Sequence, residues 1–229
     1  MTTGAISALV SSRLNEAAGV GGPQFYPASE ILAGINEGQR LFCLLTLCLE
    51  RQTNWVAAAN TTFFHLLPVI ADYIAPLRIT DAAGAKVRPA RFSELWALDT
   101  AWPSSVGAPI RYAAAGADLV ALYKRPAAPV TLQVQYAGSP TLLVLDADVP
   151  AIPPEYHQEL VNFAIYRVRQ VEGGAEFAAT LPLLDHFLGA AQEYANYVRA
   201  RNVGAGYDSM PFELSSFDRS RLVGKSKRK

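Results

Sequence analysis

Very little in this 229-residue sequence can hold a metal or attack a substrate: three histidines and two cysteines are scattered along its whole length. No H-x-x-x-H pair and no C-x-x-C pair occurs, so no zinc constellation is built, and no cofactor or metal is implied. The phosphate-cradling patterns G-x-x-x-x-G-K-[ST] and G-x-G-x-x-G are missing, as is the G-x-S-x-G elbow. Glycine-rich GVGG (19–22) leaves a helical pattern and runs into Pro23, which reads as a linker. No window approaches the roughly 18 consecutive apolar residues of a membrane span. MTTGAISALVSSRLNEAAG lacks a basic leader region, so the expectation is a soluble, cytosol-made protein without a secretory signal. Cys43 and Cys48 both fall in a helical pattern, where five residues give about 7.5 Å of rise, too far for a disulfide.

What is present is a folded chain with an uneven charge. Half of the residues are apolar and only 17% are charged, which excludes disorder for most of the length. Formal net charge is zero, yet DRSRLVGKSKRK at the C-terminus carries six basic groups and one acidic group. The body is therefore mildly acidic and the tail basic.

Helical periodicity opens the chain. Ile6, Leu9, Val10 and Leu14 predict a helix from Thr3 to about Ala17, and Ile31, Ile35, Phe42, Leu45 and Leu49 a second one entered near Pro27. From Arg51 the period shortens to that of strands: TTFFHLLPV, PLRIT, KVRPARF and DLVALYKRP. VTLQVQY (130–136) alternates strictly, which requires one buried and one wet face. PAAP links DLVALYKRP to it so briefly that the two read as antiparallel neighbours. The helical period returns at Tyr156, Leu160, Phe163, Val168 and Val171, stops at Gly173-Gly174, and resumes from about Leu181 to GAG (204–206). The fold class is α+β. An antiparallel helical bundle of about four helices (1–50 and 150–206) is interrupted by a small antiparallel β sandwich or barrel (51–149), and an extended basic arm (207–229) follows.

IPPEYHQEL sets Glu155, His157 and Glu159 in alternation, the one place that resembles a catalytic cluster. On a helix the two glutamates share a face while His157 stands about 200° away, so the three cannot converge. Acidic residues behind Pro153-Pro154 are what the start of a helix favours, and an exposed scaffold position is expected. The rival reading is a small hydrolase using these three side chains. His65 lies in a strand pattern as a satisfied, partly buried side chain, and His186 has no metal-binding partner. The tail sets Phe212, Leu214, Phe217 and Leu222 among basic residues, which suits docking into a partner with ordering on binding. GKSKRK alone supports only a salt-sensitive attraction to phosphate, the third reading, a DNA-binding module.

RQTNWV, PVTLQVQY, LVLDADVPAIPPEYHQELVNFAIYRV and AAQEYANYVRAR, in that order behind an N-terminal helix pair, resemble the head-to-tail adaptor (connector) proteins of tailed bacteriophages, the short-tailed kind in particular. The resemblance covers residues 1–206. It implies a non-enzymatic virion protein at the head–tail junction, assembled with itself into a ring of about twelve. Its partners would be the portal protein and a tail or nozzle protein, with DNA passing through the channel and no membrane involved. A stopper or tail-tube junction protein of the same neck is the neighbouring role. The C-terminal arm would lie on the portal through Phe212, Phe217, Arg219, Arg221, Lys225, Lys227, Arg228 and Lys229. The polar side of 130–136 and WPSSVGAP (102–109) would face the tail.

Overall fold

Ile31, Ile35, Gly38, Phe42 and Thr46 recur every three to four residues and are all buried, the stripe that makes a helix of residues 28–46 and turns it inward. In the computed structural model, which describes residues 1–14, 25–116 and 118–213, this helix belongs to the first of two units. That unit collects Met1–Cys48, Pro140–Arg199 and the stretch from Pro211.

Helix α1 (Thr3–Arg13) is capped by the Thr2 hydroxyl, which accepts from the Ala5 N–H at 3.3 Å. The remainder of the expected first helix and the GVGG linker lie outside the described residues. Helix α2 (Ala28–Thr46) follows Pro27 and stops at Leu47, whose φ of 52° is left-handed. Helix α2 therefore ends short of Cys48. The turn carries the Cys48 thiol back to 3.5 Å from that of Cys43, nearer than a continuous helix allows, and no disulfide joins them.

The second half of the unit was expected as helices ending at Gly173 and resuming near Leu181. The strands and short helix that intervene in the chain are described below. Helix α4 (His157–Val168) is entered through a tight turn at Pro154–Tyr156, and α5 runs from Gly174 to Ala205, straight through Pro182. Gly173 and Gly174, at φ of 66° and 59°, turn the chain into α5 instead of ending order there. Pro182 costs α5 one donor to the Ala178 carbonyl in its early turns, and packing farther along offsets it. Phe187 reaches Phe163 at a ring distance of 4.8 Å, and Tyr194 reaches Tyr156 at 5.1 Å.

Helices α2 and α4 meet without room for ordinary side chains. A Cβ on Gly34 would stand 3.3 Å from the Ala164 Cα, and one on Gly38 would stand 2.9 Å from the Phe163 ring. The helices pack backbone to side chain at these two positions, with α1 against both.

The second unit holds Leu49–Ser139 and Ala200–Met210. Its strands are β1 (Glu50–Ala57), β2 (Phe63–His65), β3 (Tyr73–Asp81), β4 (Lys86–Pro89), β5 (Arg111–Ala115), β6 (Leu119–Tyr123) and β7 (Val130–Gly138). They form one curled sheet in the order β1-β7-β3-β4-β5-β6-β2, so of the expected sandwich or barrel it is the open barrel-like form that occurs. All pairings are antiparallel except β4 with β5. That parallel step needs a crossover, and helix α3 (Phe92–Leu98) supplies it. Pro76 is tolerated inside β3 because the register shifts between Pro76 and Arg78.

Strand β7 shows the expected alternation, with Leu132, Val134 and Tyr136 buried and Thr131 exposed. Its expected neighbour is a correction: β6 pairs with β5 and β2, because β1 and β3 already occupy both edges of β7. Trp55, Leu66, Ile79, Tyr112, Leu122 and Leu132 fill one side of the sheet. Leu95, Trp102, Ala113 and Ala121 form a smaller core. Trp102 is buried, which withdraws it from the tail-facing loop that residues 102–109 were expected to offer.

Gly38→Ala should destabilise the protein by about 1–3 kcal/mol, because the new methyl overpacks the Phe163 ring. Urea denaturation followed by circular dichroism checks this. An unchanged midpoint would mean that α2 and α4 can separate at little cost.

Candidate functional site

The alternating triplet does not assemble. Glu155 is exposed in the turn before α4, and Glu159 accepts from the Asn162 side chain at 2.9 Å. His157, expected on an exposed helix start, is instead fully buried. Its Nε2 faces the Ile152 carbonyl at 3.0 Å and its Nδ1 the Met1 amino nitrogen at 2.7 Å, so both ring nitrogens are engaged in holding the chain that enters α4. His65 is more exposed than expected and bonds Asp118 at 3.1 Å, because the β2–β6 edge faces water. His186 is exposed on α5. Among the described residues no group of three or more His, Cys, Asp or Glu side chains could hold a metal, and no helix is long and apolar enough to cross a membrane.

The conspicuous surface is the segment that returns from β7 to the helices. Two amides of α2, the half-buried Asn36 and the buried Gln39, hold it. Asn36 takes both backbone groups of Leu143, donating to its carbonyl at 3.0 Å and accepting from its N–H at 2.8 Å, as a neighbouring strand would. Gln39 donates to the Thr141 carbonyl at 2.9 Å and accepts from the Ala151 N–H at 3.3 Å. The first N–H groups of α1, which have no partner within their own helix, donate to the same segment: Thr3 to the Asp148 carbonyl at 2.8 Å and Gly4 to that of Asp146 at 2.9 Å. The Asp148 carboxylate accepts from the N–H groups of Val144 and Leu145, each at 2.8 Å. These two bonds hold its pKa below the usual aspartate range.

With the backbone so fixed, Leu143 points inward and its neighbours point out. Leu142 and Val144 are each 70% exposed, Leu145 64% and Val149 59%. Four large apolar side chains thus stand in water as a ridge on a backbone that cannot fold them away. Scattered apolar exposure is ordinary, but a contiguous set marks a contact surface.

A groove of about 500 Å³ lies elsewhere on the same unit, walled by Leu41 and Leu45 of α2, Phe163 and Tyr166 of α4, and Leu184 and Leu188 of α5. Phe212 closes one end, half exposed, with its N–H donating to the Leu45 carbonyl at 3.1 Å. Arg199 donates to the Pro211 carbonyl at 3.1 Å, so the chain reaches Phe212 along a fixed path. The preceding residues are bound in the sheet unit. Asp208 is nearly buried, accepting from the Tyr112 hydroxyl at 2.8 Å and pairing with the Lys86 Nζ at 2.6 Å. Burial first, and then the Asp208 charge, push the Tyr112 phenol far up, so it stays a donor. Ser209 donates to the Pro76 carbonyl at 2.5 Å, and Tyr207 bonds Glu50.

The SU10 adaptor protein family matches this chain over residues 1–210. The chain belongs to that family. No curated protein matches it. The adaptor is thus a phage virion protein of the neck, in agreement with the resemblance carried by its strands and its tyrosine-rich final helix. Of the adaptor's expected portal-contact residues, Phe212 lies at the end of the groove, whereas Phe217, Arg219, Arg221, Lys225, Lys227, Arg228 and Lys229 lie outside the described residues. The ridge was missed in the sequence, where LVLDADVPAIPPEYHQELVNFAIYRV was noted only for the resemblance it carries. The available signal was TLLVL, an apolar run with neither helical nor strand partners.

The adaptor's ridge should respond to acid in a defined direction. Because the folded-state pKa of Asp148 is depressed, its anchoring is complete above the ordinary aspartate value, near pH 4, and is lost as pH falls through the lower folded value. In an NMR titration the amide signals of Val144 and Leu145 should move together, with a midpoint below about 3.9. A midpoint at or above that value would show that the carboxylate does not hold the ridge.

Proposed function

We propose that this adaptor assembles into a ring of about twelve copies beneath the portal, continues the DNA channel, and offers its far side to the tail or nozzle of a short-tailed virion. Its basic C-terminal arm docks on the portal. The observation that carries this reading is membership of a phage adaptor family over residues 1–210, joined to a sequence that continues past Phe212 with apolar anchors among basic residues.

Physical considerations support the same assignment. The chain is anchored up to Phe212, so the arm is launched from a fixed point at the end of α2. Phe217, Arg219, Arg221 and the basic cluster Lys225, Lys227, Arg228 and Lys229 follow it in the sequence. Aromatic and arginine side chains are the usual anchors of such contacts. A near-neutral molecule also suits a DNA channel, which must let the duplex slide.

Removing residues 214–229 should leave the melting temperature of the adaptor unchanged while weakening its capture by the portal about thirtyfold or more, the loss typical of one hot-spot anchor. Pull-down with purified portal at two salt concentrations measures this. Full-strength capture by the shortened chain would refute portal docking by the arm. A lost, steeply salt-dependent DNA affinity with capture intact would favour a DNA-binding tail.

A further inference from the structure

The ridge and the groove are both apolar, both lie on the helical unit, and face different ways. On α2 the ridge is held by Asn36 and Gln39, whereas the groove is walled by Leu41 and Leu45. At about 100° per residue these two pairs stand on different sides of the helix, with Glu37, which lines both the groove and the hollow beside Leu142, between them. A molecule with complementary patches on different faces can associate head to tail, and such contacts close into a ring when the rotation between copies allows it.

We propose that residues Leu142–Val149 of one copy seat in the α2–α4–α5 groove of the next copy, and that this is the contact that builds the ring. The proposal rests on the ring reading above and supplies its interface. A second copy is the occupant because the matching features occur on the same chain. Val144 and Leu145 are held by their own N–H groups and Leu142 lies between Thr141 and Leu143, which Gln39 and Asn36 bind, so docking adds side-chain ordering but little backbone ordering. The groove accepts side chains of this kind between Leu41, Leu45, Tyr166 and Leu184. Charge agrees as well. Asp146 is exposed on the ridge and has no ion-pair partner among the described residues, while Arg167, bonded to Glu37 at 2.7 Å, stands exposed at the groove's rim. Asp146 of one copy can join that pair in the next.

The test uses full-length adaptor in assembled particles, with a benzophenone amino acid replacing Leu145, and in a second preparation replacing Leu184. Irradiation and peptide mass spectrometry identify what each probe meets. The expected result is a two-copy adduct in both: the ridge probe on α2, α4 or α5 residues of the groove, and the groove probe on residues 142–149. Leu142→Asp with Leu145→Asp, both exposed, should then abolish rings without moving the melting temperature. Adducts of the groove probe with residues 214–222 of its own chain, or with another virion protein, would overturn the proposal and leave the ring reading standing. So would rings that persist in the double variant. Unmodified adaptor found in particles as one or two copies would defeat the ring reading, and this interface with it.

Discussion

The close approach of α2 and α4 is the constraint on which the rest of the helical unit depends. About a hundred residues of chain separate the two helices, and they can rejoin only because Gly34 and Gly38 leave room for the Ala164 backbone and the Phe163 ring. Hydrophobic burial alone would allow the helices to slide. The amides of Asn36 and Gln39 remove that freedom, because they bond particular backbone groups of the returning segment and would be left unsatisfied in any other register. The same bonds that close the insertion thereby fix the ridge in place.

This arrangement gives a phage structural protein a defined exposed surface. Four polar side chains near the ridge are used on its backbone: Thr3, Asn36, Gln39 and Asp148 each bond backbone groups of residues 141–151. The apolar side chains remain for a partner. In the sheet unit the buried Asp208 plays a comparable part, since its charge is matched by Lys86 and its remaining bond by Tyr112. An unmatched carboxylate there would be strongly unfavourable, so residues 207–209 are held to one path along the sheet.

Much of the fold was legible in the sequence because burial imposes a period. The alternation of β7 and the stripes of α2 and α4 reflect one wet side and one dry side, and they identified the elements correctly. The pairing of β6 with β7 was misread because a short connection predicts adjacency only when an edge is vacant, and here β1 and β3 hold both edges. Leu47 hid the end of α2: an apolar residue in a left-handed conformation leaves no mark in the pattern, so Cys48 looked helical. Pro182 gave the opposite error, since a proline early in a long helix looks like a boundary. That Glu155, His157 and Glu159 do not converge followed from spacing alone, but the burial of His157 did not, because its partners are the Ile152 carbonyl and the Met1 amino group. Asn36 and Gln39 were invisible as functional residues, being polar positions in an otherwise ordinary amphipathic helix.

The central claim is that this adaptor works as a closed ring at the portal. Native mass spectrometry of portal vertices, released gently from virions with the adaptor attached, tests it most directly. The account predicts a single stoichiometry near twelve adaptor copies per portal ring, with no partly filled series. One or two copies per vertex, or a broad spread of occupancies, would contradict it.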